Sequence, residues 1–232
     1  MLDIGGVLLL NPSIQNLPLS PRLILNALDS PTWHDLERGK ISEDDCNSVI
    51  AAAFQCDLNT WRKCLSIMRG SLVSNSEFIF GIKKLKKLIP SLQVFGLSNM
   101  PSWDYEQLKP TLDDWDIFDN VLISANLQQR KPDDAAYKAF LDTCGIDAGS
   151  CLFVDDRLEN VVAAHSLGFE GLLFETTEST IRQLYQRLVD PVERGRLYLR
   201  ANARHLFCEL STGGVQPDNY SQLLILEHTG ER

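Results

Sequence analysis

The first ten residues, MLDIGGVLLL (1–10), place one carboxylate, Asp3, between an apolar start and two glycines. An apolar run then resumes at residues 7–10. Open parallel sheets bind their ligands at the carboxyl ends of their strands, so a polar group that follows a buried strand is a candidate for ligand binding. Asp3 therefore either marks a tight turn or presents a reactive group beside main-chain amides, and the rest of the chain has to decide.

Further apolar runs recur along the chain, and helical patterns lie between the later ones. The runs are continuous rather than alternating, which is typical of strands buried on both faces of a parallel sheet. They are VLLL at 7–10, LQVFGLS at 92–98, NVLISA at 120–125, CLFVDD at 151–156 and EGLLFE at 170–175. The alternation of runs with helices at 76–89, 133–145 and 157–168 predicts right-handed crossovers and an α/β fold with a doubly wound parallel sheet.

Residues 12–75 interrupt this alternation, because they contain helical segments and no convincing strand. We predict that they form a helical cap inserted after the first strand. The predicted core is then 1–11 together with 76–178, and residues 179–232 form a C-terminal helical extension. Since only Met1 and Leu2 precede Asp3, a shortened or alternative start is also expected.

Composition limits the classes of function. The 232 residues are 44% hydrophobic and 23% charged, which is typical of a globular protein, and the formal charge of -9 argues against binding to nucleic acid or to an anionic membrane. The six cysteines form no C-x-x-C pair, and no signal peptide or run of 18 apolar residues occurs. We expect a cytoplasmic protein with reduced thiols that binds a small molecule; its oligomeric state is not predicted.

Four of the polar positions fall where strands of the predicted sheet end. They are Asp3, Ser98-Asn99, the stretch containing Lys131, and Asp155-Asp156. Clustered carboxylates without histidine or thiolate ligands suit Mg²⁺. A carboxylate can also attack phosphorus if the metal, an ammonium and a hydroxyl share the negative charge of the phosphoryl oxygens. The pattern therefore predicts phosphoryl transfer.

The same four motifs resemble, in matching order, those of the haloacid dehalogenase (HAD) superfamily. DIGGVL at 3–8 is similar to its first motif, D-x-D-G-x-[TV]-L, and GLSN at 96–99 to its second. KPD at 131–133 and FVDD at 153–156 are similar to the third and fourth. The resemblance covers residues 1 to 175. It extends to the inserted helices, where LERGKIS at 36–42 is similar to a stretch common in helical caps of this superfamily.

This resemblance implies a role for each matched residue. Asp3 would be the nucleophile, and Ser98 and Lys131 would act with it in catalysis. The phosphoryl group would be bound by Gly5, Gly6, Ser98, Asn99 and Lys131. A Mg²⁺ ion would be held by Asp3, the main-chain carbonyl of Gly5, Asp156 and, as an auxiliary ligand, Asp155.

One departure matters, because the second aspartate of the first motif, the general acid and base of the superfamily, is Gly5 here. General acid–base catalysis contributes about 10²- to 10⁴-fold to the rate, so we expect slow turnover of ordinary phosphate monoesters. Three explanations stay open. Another acid, such as a cap residue, could replace the aspartate; the leaving group could need no proton, as in a diphosphate; or the fold could persist without catalysis.

Two further patterns bear on the substrate and on a rival activity. LRANARHLF at 199–207 and NYSQLLILEHTGE at 219–231 resemble the tails of fungal HAD-like proteins, among them sesquiterpene phosphatases and cyclases. A prenyl phosphate or diphosphate is therefore a candidate substrate, whereas the absence of a D-x-D-T-T motif gives no support for cyclisation. The rival is an α/β-hydrolase triad of Ser98, Asp156 and His205, but Met100 stands where its nucleophile elbow needs a small residue.

Overall fold

The computed structural model describes residues 1–10, 17–112 and 114–189. These residues form a parallel sheet and the helices that pack around it. The strands are β1 (Leu9–Leu10), β2 (Val73–Ser74), β3 (Phe95–Ser98), β4 (Asn120–Ile123), β5 (Leu152–Asp155) and β6 (Glu170–Leu173). The helices are α1 (Pro21–Leu28), α2 (Pro31–Glu37), α3 (Glu43–Ala53), α4 (Leu58–Gly70), α5 (Ser76–Leu88), α6 (Ser102–Leu108), α7 (Ser124–Leu127), α8 (Asp134–Cys144), α9 (Leu158–Ser166) and α10 (Thr177–Leu188).

The sheet is joined through Leu2. This residue bridges in parallel to Gly96 of β3 on one side and to Val154 of β5 on the other. β3 pairs in parallel with β4, and β5 pairs in parallel with β6. The order is therefore β4, β3, Leu2, β5, β6, and the carboxyl ends of the central strands meet at one edge. The predicted α/β class with a parallel sheet is confirmed.

The run at 7–10 was predicted to be a strand of this sheet, and that prediction is wrong. Gly6 has a φ of +76°, which turns the chain sharply after Asp3. Residues 9 and 10 then pair antiparallel with Val73–Ser74, a strand inside the segment predicted to have none. The run is apolar because Val7, Leu8 and Leu9 are fully buried, even though they lie outside the parallel sheet.

Helices α1–α4 lie within residues 21–70, and their buried side chains form one apolar cluster. Each begins at a side chain that accepts a hydrogen bond from an amide three residues further on: Ser20, Ser30, Ser42 and Asp57. Trp33 and Trp61 pack edge to face in the middle of the cluster, with ring centroids 6.2 Å apart. These four helices, which we call the cap, therefore share an apolar cluster, and the predicted division of the chain into core, cap and extension stays a prediction.

The C-terminal part is described as far as residue 189. Close contacts divide the chain into one unit of Met1–Leu184 and a second of Tyr185–Arg232. α10 confirms that the chain becomes helical again near residue 178. The rest of the predicted extension lies outside the described residues, as does His205 of the rival triad. No helix among the described ranges has the length and hydropathy needed to cross a bilayer.

Candidate active site

Three of the predicted site residues meet at the carboxyl edge of the sheet. Asp3 follows Leu2 in the middle of the sheet, Ser98 ends β3 and Asp155 ends β5. Lys131 reaches the same place from the loop between α7 and α8. The structure therefore brings Asp3, Lys131 and Asp155 together and places Ser98 at the same edge of the sheet, because parallel strands present their carboxyl ends on one side. The predicted roles of these residues stay predictions.

Lys131 is the buried cation of this site. Its Nζ lies 2.6 Å from Oδ2 of Asp155 and 3.0 Å from Oδ1 of Asp3, and its side chain is only 1% exposed. Burial alone would lower the pKa of Lys131, but the two carboxylates raise it overall. The ammonium therefore stays charged in the position where a phosphoryl group would bring further negative charge.

Asp3 carries a raised pKa. Burial is the main cause, and the charges of Asp155 and Asp156 add to it, while Lys131 opposes it. Both described contacts of the Asp3 carboxylate fall on Oδ1, which accepts from the Ile4 amide at 2.7 Å and from Lys131. A carboxylate that is crowded by negative charge in this way is stabilised by any added cation.

Asp3, Asp155 and Asp156 form a group of three carboxylates that fits such a cation. Each brings one oxygen to within 4.8 Å of the others, and Asp156 is the exposed member. Desolvation and the neighbouring Asp155 raise the pKa of Asp156. The donors are all hard oxygens, as Mg²⁺ prefers.

Asp155 differs from the other two because protein donors already surround it. Its Oδ2 accepts from Lys131, its Oδ1 accepts from the Arg157 amide at 2.8 Å, and the Asn160 amide nitrogen lies 3.0 and 3.1 Å from the two oxygens. Asp155 therefore holds Lys131 in place, and its predicted role as an auxiliary metal ligand stays a prediction. The sequence analysis missed Asn160. A polar residue in the first turn of a predicted helix, directly before two valines and close to Asp155, could have indicated a role at the site.

The two glycines after Asp3 have different surroundings. A Cβ on Gly6 would lie 2.3 Å from Oδ2 of Asp156, so this carboxylate packs directly against the main chain of Gly6. A Cβ on Gly5 would have nothing within 4 Å. Gly6 was predicted to bind phosphate. Its N–H already donates to the Leu9 carbonyl at 2.9 Å, so this N–H would have to give up that hydrogen bond to contact a phosphate.

Asn99 was predicted to bind phosphate, but its side chain is used in another way. Its Nδ2 donates to the carbonyl of Lys131, and its Oδ1 accepts from the amide of Lys131, each at 2.8 Å. The side chain therefore fixes the main chain of the lysine, and a phosphate contact would have to come from the Asn99 main chain. Ser98, beside it, is buried.

Comparisons with known proteins found fungal relatives of this chain. The chain is 34% identical over 230 residues to drimenol cyclase drtB of Aspergillus calidoustus, an alignment that covers 99% of this chain and 44% of that protein. It is 31% identical over 184 residues to sesquiterpene phosphatase astK of Aspergillus oryzae, covering 79% of this chain and 93% of that one. The chain thus spans less than half the length of the cyclase and almost the whole length of the phosphatase.

Two further matches concern the tail and the fold. Residues 192–232 match the family described as the sesquiterpene cyclase astC-like C-terminal domain. A HAD family enzyme from Bacteroides thetaiotaomicron, solved in complex with magnesium and inorganic phosphate, superposes with a TM-score of 0.58 at 22% identity, covering 74% of this chain and 91% of that one. With the HAD fold and its four motifs at one sheet edge, and with fungal sesquiterpene phosphatase and cyclase relatives, this chain belongs to the HAD-like hydrolase superfamily.

Proposed function

We propose that this HAD-like hydrolase is a Mg²⁺-dependent phosphatase in which Asp3 attacks the phosphorus of a small organic phosphate. The observation that carries the proposal is the approach of Lys131 to Asp3 and Asp155 beside the exposed Asp156. This arrangement combines a nucleophile, a fixed cation and a set of metal ligands, which are the parts that phosphoryl transfer requires.

The donor set fits Mg²⁺, and the magnesium complex of the Bacteroides enzyme supports this choice. Asp3, Asp156 and the main-chain carbonyl of Gly5 would hold the ion, with Asp155 in an auxiliary role. When bound, Mg²⁺ supplies positive charge that offsets the repulsion between Asp3 and the phosphoryl oxygens.

The chain's own residues then carry two displacements at phosphorus. In the first, a carboxylate oxygen of Asp3 forms a bond to phosphorus while the bond to the leaving oxygen breaks, and that oxygen keeps the electron pair. In the second, a water oxygen forms a bond to phosphorus while the bond between phosphorus and the Asp3 oxygen breaks. One proton of the water stays on the released inorganic phosphate, the other passes to solvent, and the Asp3 carboxylate is regenerated. Lys131 stays protonated and, with Ser98, binds the phosphoryl oxygens throughout.

Gly5 affects the choice of substrate, because it provides no proton for the leaving oxygen. The described charges that act on the Asp3 carboxyl are those of Lys131, Asp155 and Asp156, and none of these replaces a free acid on the leaving-group side. A diphosphate needs no such acid, since its leaving group is a phosphate monoester that is stable without the proton. We therefore propose a prenyl phosphate or diphosphate, preferably the diphosphate. The names of the phosphatase and cyclase relatives support a sesquiterpene skeleton.

The alternative is a binding or vestigial domain that has kept the fold and lost turnover. The open space at Gly5 favours it, because a side chain could stand there without a clash and none does.

The deciding experiment measures phosphate release from a prenyl diphosphate, a prenyl monophosphate and a simple aryl monoester, with Mg²⁺ and with chelator. Asp3→Asn keeps the size of the side chain and removes the nucleophile, and Asp116→Asn at the surface is the control. Metal-dependent release that is lost only in Asp3→Asn supports the proposal. Absence of release from every substrate by a folded chain would favour the binding domain.

A further inference from the structure

Lys131 lies in a four-residue turn, Arg130–Asp133, which we call the lysine turn. The Asp133 amide donates to the Arg130 carbonyl at 2.9 Å and closes the turn. Because Lys131 is the second residue, its direction depends on where the two ends of the turn are held. Each end carries a charged side chain, and both side chains point to the cap.

The cap residue Glu37 holds the first end. Arg130 Nε donates to Glu37 Oε2 at 2.7 Å, and the two side chains are only 7% and 11% exposed. Ser124 of α7 also donates from Oγ to the main-chain carbonyl of Glu37 at 2.5 Å. A buried charge that loses its partner is strongly unfavourable, so this pair fixes Arg130 against the end of α2.

The next cap residue, Arg38, holds the other end. Its Nη2 lies 2.7 Å from Oδ2 of Asp133. Asp133 stands at the N-cap position of α8, where an aspartate normally accepts a hydrogen bond from the first turn of the helix. Its side chain makes no such bond here. The Asp133 carboxylate is therefore committed to the cap and not to its own helix.

Gly39 allows this docking. It has a φ of +69°, and a Cβ there would lie 3.2 Å from the carbonyl oxygen of Ala125 in α7. Three consecutive residues of the LERGKIS stretch, Glu37 to Gly39, thus face the core beside the lysine turn. This stretch contains neither the predicted nucleophile nor any predicted metal ligand, so its position beside the lysine turn needs another explanation.

We propose that Glu37 and Arg38 are positioning residues for Lys131. They hold the two ends of the lysine turn through Arg130 and Asp133, so the placement of the ammonium depends on docking of the cap. The effect on turnover rests on the proposed function, in which Lys131 binds the phosphoryl group. The effect on the turn itself does not.

The test compares Arg38→Gln with Arg69→Gln in the full chain. Arg69 of α4 is equally exposed, at 19%, and pairs at 2.7 Å with Asp104 and at 2.7 Å with Glu43. The control therefore removes at least as much ion pairing, but away from the lysine turn. Hydrogen exchange of the amides in residues 128–134 and the Kd for inorganic phosphate in the presence of Mg²⁺ are measured for each. Arg38→Lys, which keeps the charge, serves as the rescue variant.

We expect Arg38→Gln to speed exchange in the lysine turn by up to about fivefold, as the loss of a partly exposed ion pair allows, and to raise the Kd for phosphate by a similar factor. Arg38→Lys should restore most of both values, and Arg69→Gln should change neither. Glu37→Gln should give a larger effect of the same kind. If it does not fold, the Arg38 comparison still decides.

The outcomes separate the two proposals. Unchanged exchange in Arg38→Gln, or equal loosening in Arg69→Gln, would overturn the positioning role whatever happens to phosphate release. Selective loosening in a chain that releases no phosphate from any substrate would support the positioning role and count against the proposed function.

Discussion

Around Asp3, the side that faces Lys131 is filled with charged and hydrogen-bonded groups, whereas the side at Gly5 has open space. We call these the lysine side, formed by Lys131, Asp155 and Asn160, and the glycine side, formed by Gly5. On the lysine side, Lys131 contacts Asp3 and Asp155, and Asn160 contacts Asp155, at 2.6 to 3.1 Å. On the glycine side, a Cβ would meet nothing within 4 Å. Among the described residues, the lysine side thus offers an ammonium and hydrogen-bonding groups next to Asp3, whereas residue 5 offers no acid.

Breaking the lysine side should have the largest effect. Lys131→Met removes the ammonium and leaves the Asp3 and Asp155 carboxylates facing each other without compensation. We expect the free energy of unfolding to fall by about 3–5 kcal/mol, as for other buried pairs that lose one partner. Urea denaturation measures it. The control is Lys138→Met. The ion pair between Lys138 and Asp134, with a distance of 3.5 Å, is exposed, so its loss should lower the free energy of unfolding by less than about 1 kcal/mol. Equal losses in the two variants would contradict the structural role of Lys131.

Filling the glycine side should have the next largest effect, and here we expect a gain in turnover. Gly5→Asp places a carboxyl group in open space, where it can protonate a leaving oxygen and activate water. Turnover of a simple phosphate monoester should rise by about 10²- to 10⁴-fold. Gly5→Asn has nearly the same shape without the acid and serves as the control. A similar rate in both variants would show that the missing acid does not limit turnover.

Gly6 packs against Asp156, and enlarging it should weaken the proposed binding of Mg²⁺. Gly6→Ala introduces a Cβ 2.3 Å from Oδ2 of Asp156 at a φ of +76°. We expect weaker Mg²⁺ binding and a loss of about 1–3 kcal/mol in stability. Gly145→Ala has a similar φ of +66° with nothing within 4 Å, so it measures the backbone strain alone. If both variants lose the same stability and bind Mg²⁺ equally well, the contact with Asp156 is unimportant.

The smallest expected effect concerns pH. Because the pKa values of Asp3 and Asp156 are raised in the folded chain, these groups favour folding most below the ordinary carboxyl pKa, and their contribution is lost as pH rises through the folded values. In the metal-free protein, the melting temperature of the unaltered chain relative to that of Asp3→Asn should therefore fall as pH increases from about 4 to 7. Mg²⁺ competes with protons for these oxygens, so the increase in melting temperature on adding Mg²⁺ should grow over the same interval. Asp156→Asn should reduce that growth, and a pH-independent shift in the unaltered chain would argue against metal binding here.

Much of the site could be predicted from the sequence because its signals are local. A continuous apolar run identifies a buried strand, and the residue after it, such as Ser98 or Asp155, must lie at the shared edge of the sheet. The cap helices were also recognisable, since serine and aspartate residues mark where they begin.

The rest depends on pairings between distant residues, which local patterns do not encode. The run at 7–10 reads as a sheet strand, but the turn at Gly6 takes it to β2. Asn99 has the composition of a phosphate ligand, yet its amide bonds to Lys131, 32 positions away. The Glu37–Arg130 pair spans 93 positions, and no pattern within either segment indicates its partner.

The bridge made by Leu2 has a consequence for how the chain acquires its structure. The two halves of the sheet are joined in the described residues by pairings between residue 2 and residues 96 and 154. Contacts of such long sequence separation close late in folding, because the loop entropy must be overcome before they form. Because Asp3 precedes β5 in the chain, it is synthesised earlier and can contact Asp155 only after β5 has been made. The Asp3 amide donates to the Val154 carbonyl and the Val154 amide to the Met1 carbonyl, so we expect protection of these two amides from hydrogen exchange to appear together and late in refolding.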